Sequence, residues 1–119
     1  MERISEGEYR FLSILWEREP IASPELVKCC NEQLGWKKST TYTVIKKLTD
    51  KGVVKSENTV VTALVTKESV DKCQSEELLQ RTSKGNIPAF LAAFFKDRKL
   101  SKADIERIRQ LIESVEEEL

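Results

Sequence analysis

Histidine is absent from this 119-residue chain, and cysteine, proline and glycine are few, at three, three and four. Without histidine there is no imidazole to act as a general base or to ligate a metal. The cysteines, Cys29, Cys30 and Cys73, show no Cys-x-x-Cys or Cys-x-Cys spacing. Neither a structural zinc site nor a copper–thiolate site is therefore expected, and no cofactor. Adjacent cysteines do not make an ordinary structural bridge and the count is odd, so reduced thiols are expected. Carboxylates are plentiful, but no nucleophile and base accompany them, so the chain does not read as an enzyme. No apolar run approaches the roughly 18 residues of a membrane span, and no membrane insertion is expected. Met1-Glu2-Arg3-Ile4-Ser5 has no apolar stretch behind a basic start. No secretory signal is read there, and a cytoplasmic protein is expected. The last absence is net charge: 20 Lys and Arg balance 20 Asp and Glu. Taken globally, that balance does not favour a nucleic-acid partner.

The local distribution is different. Residues 1–67 carry 11 Lys and Arg against 9 Asp and Glu, and residues 68–119 carry 9 against 11. Between residues 37 and 55 there are six lysines and one acid. In that stretch Thr41, Val44, Ile45 and Leu48 recur at helical spacing and form a narrow apolar seam. The opposite face carries Ser39, Thr40, Tyr42, Thr43, Lys46, Lys47 and Asp50. Hydroxyls and lysines without matching carboxylates suit phosphates and base edges. Lys51-Gly52 ends the helix, with a cation suited to its negative end and a glycine able to take the left-handed cap. This stretch reads as a DNA-recognition helix followed by a wing.

The flanking segments fit that reading. Ser5-Glu6-Gly7-Glu8 is a capping box, with Ile4 and Tyr9 placed for a hydrophobic staple. The helix it opens runs to about Glu17 and buries Phe11, Leu12, Leu15 and Trp16, until Glu19-Pro20 stops it. Ile21-Ala22 is short and extended. Ser23-Pro24 then reads as a cap followed by proline at the first helical position, opening a second helix from about Pro24 to Gln33. Its apolar positions are Leu26, Val27, Cys30 and Leu34; Gly35 supplies a turn and Trp36 an anchor for the third helix. Two short helices, a glycine turn and a hydroxyl- and lysine-faced helix make a helix-turn-helix. Val53 to Glu57 and Val60 to Thr66 flank Asn58-Thr59 as a β-hairpin, with Lys55 the nearby cation.

A first domain is expected over residues 1–66 and a helical second one over 67–119. Residues 67–83 form a helix of modest amphipathicity, or two short ones. The segment from Ile87 to Lys96 holds Phe90, Leu91, Ala92, Ala93, Phe94 and Phe95 and is apolar nearly all round, as in a buried or interface helix. After a Ser101 cap, Ile105, Ile108, Leu111, Ile112 and Val115 recur at three-four spacing. About 50 residues make a poor independent core. Self-association through Phe90, Leu91, Phe94, Phe95, Ile105, Ile108, Leu111 and Ile112 answers that shortage. A homodimer also suits a helix-turn-helix module, because two modules on a palindrome of double-stranded DNA combine their energies.

These residues resemble the penicillinase and methicillin-resistance repressor family (BlaI/MecI type), which shares a fold with the copper-responsive CopY repressors. Ile4-Ser5 with Glu8 and Leu15-Trp16-Glu17 resemble the family's opening helix. Trp36, Thr40, Thr43, Lys46-Lys47-Leu48 and Lys51-Gly52 resemble its recognition helix, and Leu100-Ser101 to Ile112 its last dimerisation helix. The resemblance implies a mainly α fold, with an N-terminal winged helix-turn-helix of three helices and a small hairpin wing, then a C-terminal helical dimerisation domain. It implies a homodimeric repressor on a palindromic operator, controlling β-lactamase or other antibiotic-resistance genes. It also implies a membrane sensor-protease pathway that releases DNA by cleavage in the dimer domain, at a bond that maps to Ala93-Phe94. The family bond follows Asn, where this chain has Ala93. The family wing usually carries arginine and aromatic residues, where this chain has Ser56-Glu57-Asn58-Thr59-Val60-Val61-Thr62. The C-terminal Glu116-Glu117-Glu118-Leu119 lacks the cysteine motifs of the copper branch.

Two readings from other classes stand beside the repressor. The neutral charge and non-basic wing suit a winged helix used as a protein-interaction module. Cys29-Cys30 suits a DNA-binding regulator that senses oxidation.

Overall fold

The computed structural model describes residues 3–119. Met1 and Glu2, the start of the stretch read for a secretory signal, lie outside the described residues. The described residues form α1 (Glu6–Arg18), β1 (Ile21–Ala22), α2 (Ser23–Leu34), α3 (Lys38–Asp50), β2 (Val54–Glu57), β3 (Val60–Ala63), α4 (Lys67–Ser83), α5 (Ile87–Phe95) and α6 (Lys102–Glu117). This is a mainly helical, winged helix-turn-helix architecture. The chain divides into two compact units, Met1–Leu78 and Leu79–Leu119, with the division inside α4.

In the first unit, the capping box forms as expected. Ser5 Oγ accepts from the Glu8 N–H at 3.2 Å, and Glu8 Oε1 accepts from the Ser5 N–H at 2.8 Å. Phe11, Leu12 and Leu15 are fully buried, each contributing about 1.5–3 kcal/mol of transfer free energy. Ile14 is buried as well, so α1 presents a wider face than its apolar stripe indicated. Trp16 is only half-buried, because its indole N–H reaches out to the Val65 carbonyl at 3.0 Å.

Ser23 does not cap α2. It is the first helical residue, behind an N-cap at Ala22 that makes no side-chain bond. Its N–H is already given to the Thr59 carbonyl at 2.7 Å, tying the start of α2 to the hairpin turn. Gly35 ends α2 in the left-handed region at φ +69°. Its N–H donates to the Asn31 carbonyl and the Trp36 N–H to the Cys30 carbonyl, which stops the helix and swings Trp36 onto Phe11. Thr41, Ile45 and Leu48 of α3 are buried and Val44 half-buried, so the expected seam packs inward.

The sheet has strand order β1-β3-β2 and is antiparallel. The hairpin pairs Val54 with Ala63 and Glu57 with Val60. Ile21 and Ala22 pair with Val61 and Val60, so the short extended segment is a third strand. Val53, Val54, Val61 and Val70 complete one core with α1, α2 and α3. Val70 belongs to α4, whose opening turns therefore pack with the winged helix.

In the second unit, Asn86 caps α5 by accepting from the Ala89 N–H at 2.9 Å, and Ser101 caps α6 by accepting from the Asp104 N–H at 3.0 Å. No residue of α5 or α6 is buried.

Candidate nucleic-acid interface

The outer face of α3 is open from end to end. Ser39, Thr40, Tyr42, Thr43, Lys46 and Lys47 are all exposed. The helix starts at an N-cap, Lys37, that makes no side-chain bond, and its first turn holds no acid. Ser39 is the second helical residue. The first-turn amides thus lack a side-chain acceptor and sit at the positive end of the helix among Lys37, Lys38 and two hydroxyls, which suits an anion such as phosphate.

Individual side chains are committed to different degrees. The Thr43 hydroxyl donates to the Ser39 carbonyl at 2.9 Å. Its proton is used inside the helix, so it presents an acceptor oxygen and a methyl group outward. Tyr42 is 38% exposed and its hydroxyl donates to Ser23 Oγ at a long 3.4 Å, while Lys38 Nζ lies 5.9 Å from its ring centroid. Tyr42 is therefore drawn toward the start of α2. Lys46 and Lys47 have no hydrogen-bond or ion-pair partner among the described residues.

Two lysines of the basic stretch are taken. Lys51 was expected to serve the C-terminal end of α3. Instead its Nζ donates to Glu8 Oε1 at 2.8 Å and to the Arg3 carbonyl at 2.7 Å, joining the end of α3 to the start of α1. Lys55 lies 3.6 Å from Glu57 Oε2 on the same strand, both side chains more than half exposed. The wing cation is thus locally balanced. Among the described residues, the positive charge without a carboxylate partner sits at the start of α3 and along it, at Lys37, Lys38, Lys46 and Lys47.

Burial pushes the Cys30 thiol pKa up, with the nearby Thr41 hydroxyl pulling the other way and Cys29 adding to the rise. This favours the protonated, unreactive form. All three cysteines are free thiols. Among the described residues, no cluster of three or more His, Cys, Asp or Glu is placed to hold a metal, and no helix is long and apolar enough to cross a membrane.

The apolar residues of the second unit are brought together in part. Phe90 stacks on Phe94 at 6.4 Å, Phe95 meets Phe94 edge-on at 6.1 Å, and the Arg98 guanidinium covers the Phe94 ring at 4.2 Å. Phe94, Phe95, Leu100, Ile108 and Leu111 line one open groove between α5 and α6. Leu91, Ile105 and Ile112 lie outside that groove, with Ile105 and Ile112 exposed and Leu91 half-buried. Ala93 is exposed on α5.

Three features of the interface were not anticipated. They are the Glu8–Lys51 tie, the Ser23 support under Tyr42, and the uncapped start of α3. Only the last had a local signal, since Lys37 stands where a helix normally places Ser, Thr, Asp or Asn.

The chain is similar to known proteins. The methicillin resistance regulatory protein MecI of Staphylococcus aureus is 24% identical over 113 residues, covering 92% of each chain. A MarR protein from Peptoclostridium difficile superposes with a TM-score of 0.44 at 19% identity, over 97% of this chain and 70% of that one. The family model described as penicillinase repressor matches residues 4–114, and the chain belongs to that family of transcriptional repressors.

Proposed function

We propose that this protein is a homodimeric repressor that reads a palindromic operator through α3, one copy of the helix in each half-site. The observation that carries this is the exposed α3 face. It combines an uncapped N-terminus, unpaired Lys46 and Lys47, and hydroxyls at Thr40 and Thr43. Lysine is a flexible point charge, so Lys46 and Lys47 are assigned to phosphates. Thr43, with its proton already used, is assigned to an apolar contact with a thymine methyl. Lys55, balanced by Glu57, adds a weak wing contact.

The controlled genes are proposed to be of the antibiotic-resistance type, on the strength of the family and of the methicillin-resistance relative. Relief of repression by a sensor-protease pathway, through cleavage of the Ala93–Phe94 bond, belongs to the same proposal. Its support is that both residues are exposed and lie near the C-terminal end of α5.

The test is selection from a pool of random-sequence duplexes. An inverted repeat should be enriched. On that duplex, Lys46→Ala should weaken binding and lower the salt slope by about one unit, the value of one lost phosphate contact. Enrichment of no sequence, or binding indifferent to salt, would instead favour a protein-interaction module.

A further inference from the structure

A pocket of about 460 Å³ opens between the first turn of α1 and the inner side of α3, wholly within the first unit. Ser5 and Gly7 line it on one side, and Trp36, Val44 and Lys47 on the other. Its size falls in the range of small-ligand sites, about 300–1,000 Å³. The apolar wall is firmly backed: Trp36 stacks on the fully buried Phe11, with ring centroids 6.3 Å apart and planes 4° apart. Gly7 leaves the facing wall bare. It is an interior residue of α1, where glycine is less stable than alanine. A β-carbon there would meet only the Trp36 ring, at 3.8 Å, an ordinary van der Waals contact. Neither backbone nor packing requires glycine at this position, and its missing side chain keeps the pocket open.

The polar groups of the pocket have donors left over. Lys51 is committed to Glu8 Oε1 and the Arg3 carbonyl. Glu8 Oε1 takes that bond and the Ser5 N–H, and Oε2 is buried away from the opening. The Ser5 hydroxyl accepts from the Glu8 N–H, but its own proton goes to no group among the described residues. The same holds for the Trp36 indole N–H and the Lys47 ammonium. Three unused donors, one of them charged, beside a carboxylate that is already paired call for an acceptor bearing negative charge.

We propose that this pocket binds a small organic monoanion carrying an apolar ring, with the ring against Trp36 and Val44 and the charge on Lys47, and that the bound ligand withdraws Lys47 from DNA. The second half rests on the assignment of Lys47 to a phosphate made above. One side chain then serves ligand and operator in turn, so each weakens binding of the other by the same factor.

The test uses benzoate, titrated at constant ionic strength into the nitrogen-15-labelled full chain. The chain has two tryptophans and so two indole N–H signals. Trp16, which is bonded to the Val65 carbonyl and does not line this pocket, is the internal control. The Trp36 signal should move saturably at millimolar benzoate, the affinity of a ligand of about nine heavy atoms, while the Trp16 signal stays. Benzamide has the ring without the charge and inorganic phosphate the charge without the ring; each should bind at least about tenfold more weakly, the worth of one charge-assisted contact. Lys47→Ala should lose the same factor, and Gly7→Leu, which fills the pocket, should lose saturation. On a duplex carrying one half of the selected repeat, saturating benzoate should weaken wild-type binding by about tenfold. Gly7→Leu should bind that duplex as the wild type does and ignore benzoate.

A Trp36 signal that does not saturate, an equal response to benzamide or phosphate, or wild-type benzoate affinity in Lys47→Ala would overturn the ligand assignment. Lys47 is exposed, so its variant decides the matter even where Gly7→Leu does not fold. Saturation by benzoate with duplex affinity unchanged would overturn the coupling to DNA. A protein that binds no duplex would overturn the repressor reading and the coupling with it, whereas the indole titration is independent of DNA.

Discussion

Glu8 occupies the third position of α1, where its carboxylate accepts from both the Ser5 N–H and the Lys51 ammonium. The residue is 5% exposed, and its second oxygen, Oε2, has no hydrogen-bond partner. Burial pushes its pKa up, but the bonds from Lys51 and Ser5 together outweigh burial, and the net shift is downward from the ordinary value of 4.5. A carboxyl whose folded-state pKa is depressed contributes stability that is complete above its unfolded value and is lost as pH falls through its folded value. The contribution of Glu8 is therefore whole at pH 7 and fades below about 4.5. Glu8→Ala strands a half-buried Lys51 and should cost about 2–4 kcal/mol at neutral pH, somewhat less than breaking a fully buried pair. In thermal unfolding, the gap between wild type and variant should narrow as pH is lowered from 5 toward 3. A gap of constant size would show that charge is not the source. Because Lys51 follows α3 directly, the same variant should also loosen the C-terminal end of the DNA-reading helix.

The hairpin turn shows what an element demands of its residues. Asn58 and Thr59 both have positive φ, 51° and 66°, the geometry of a two-residue type I′ turn. Asn tolerates that region; a β-branched Thr does not. The Thr59 carbonyl accepts from the Ser23 N–H, and that backbone bond survives any side-chain change. Thr59→Gly should therefore stabilise the protein by about 1 kcal/mol, read as a higher melting temperature. No change would mean that Thr59 makes a compensating contact. At this scale most of the fold was legible. The capping box, the seam of α3, the turn at Gly35 and the Ser101 cap are local patterns, and each formed where its pattern lay; the hairpin formed about Asn58-Thr59, with its second strand ending at Ala63 rather than Thr66. Two things were not legible. Ile21-Ala22 is too short for periodicity to mark it as a strand, and only its pairing with Val60 and Val61 makes it one. Ser23 precedes proline and looks like a cap, but its N–H is claimed by Thr59, 36 positions downstream. The candidate site shows the same limit. Exposure of Tyr42, Thr43, Lys46 and Lys47 follows from helical spacing. The pairings of Lys51 with Glu8 and Lys55 with Glu57 depend on the folded geometry of the chain.

The second unit raises the question of what completes the molecule. Its α5 and α6 bury no residue, and Phe94, Ile105, Leu111, Ile112 and Val115 are between 36% and 66% exposed. A unit of 41 residues without a buried core lacks the apolar burial needed to offset its chain entropy. Another apolar surface must cover these faces, and on the proposed function that surface is a second copy. The partner need not bring charge of one sign, since Arg107, Arg109, Glu106 and Glu113 are interspersed along α6. Phe94 is the point to test, because it joins the Phe90 stack to the groove shared with Leu111. Phe94→Glu puts a carboxylate among these rings, and even paired with Arg98 it leaves a desolvated ion pair where the interface needs a ring, which is costly. Sedimentation equilibrium should show a wild-type dimer and a variant monomer. Operator binding should then fall by about a hundredfold or more, since losing the link between two heads forfeits the gain from their effective concentration. Binding to a duplex carrying one half-site should not change, because α3 lies in the other unit. A Phe94→Glu protein that remains dimeric would place the interface elsewhere in the chain.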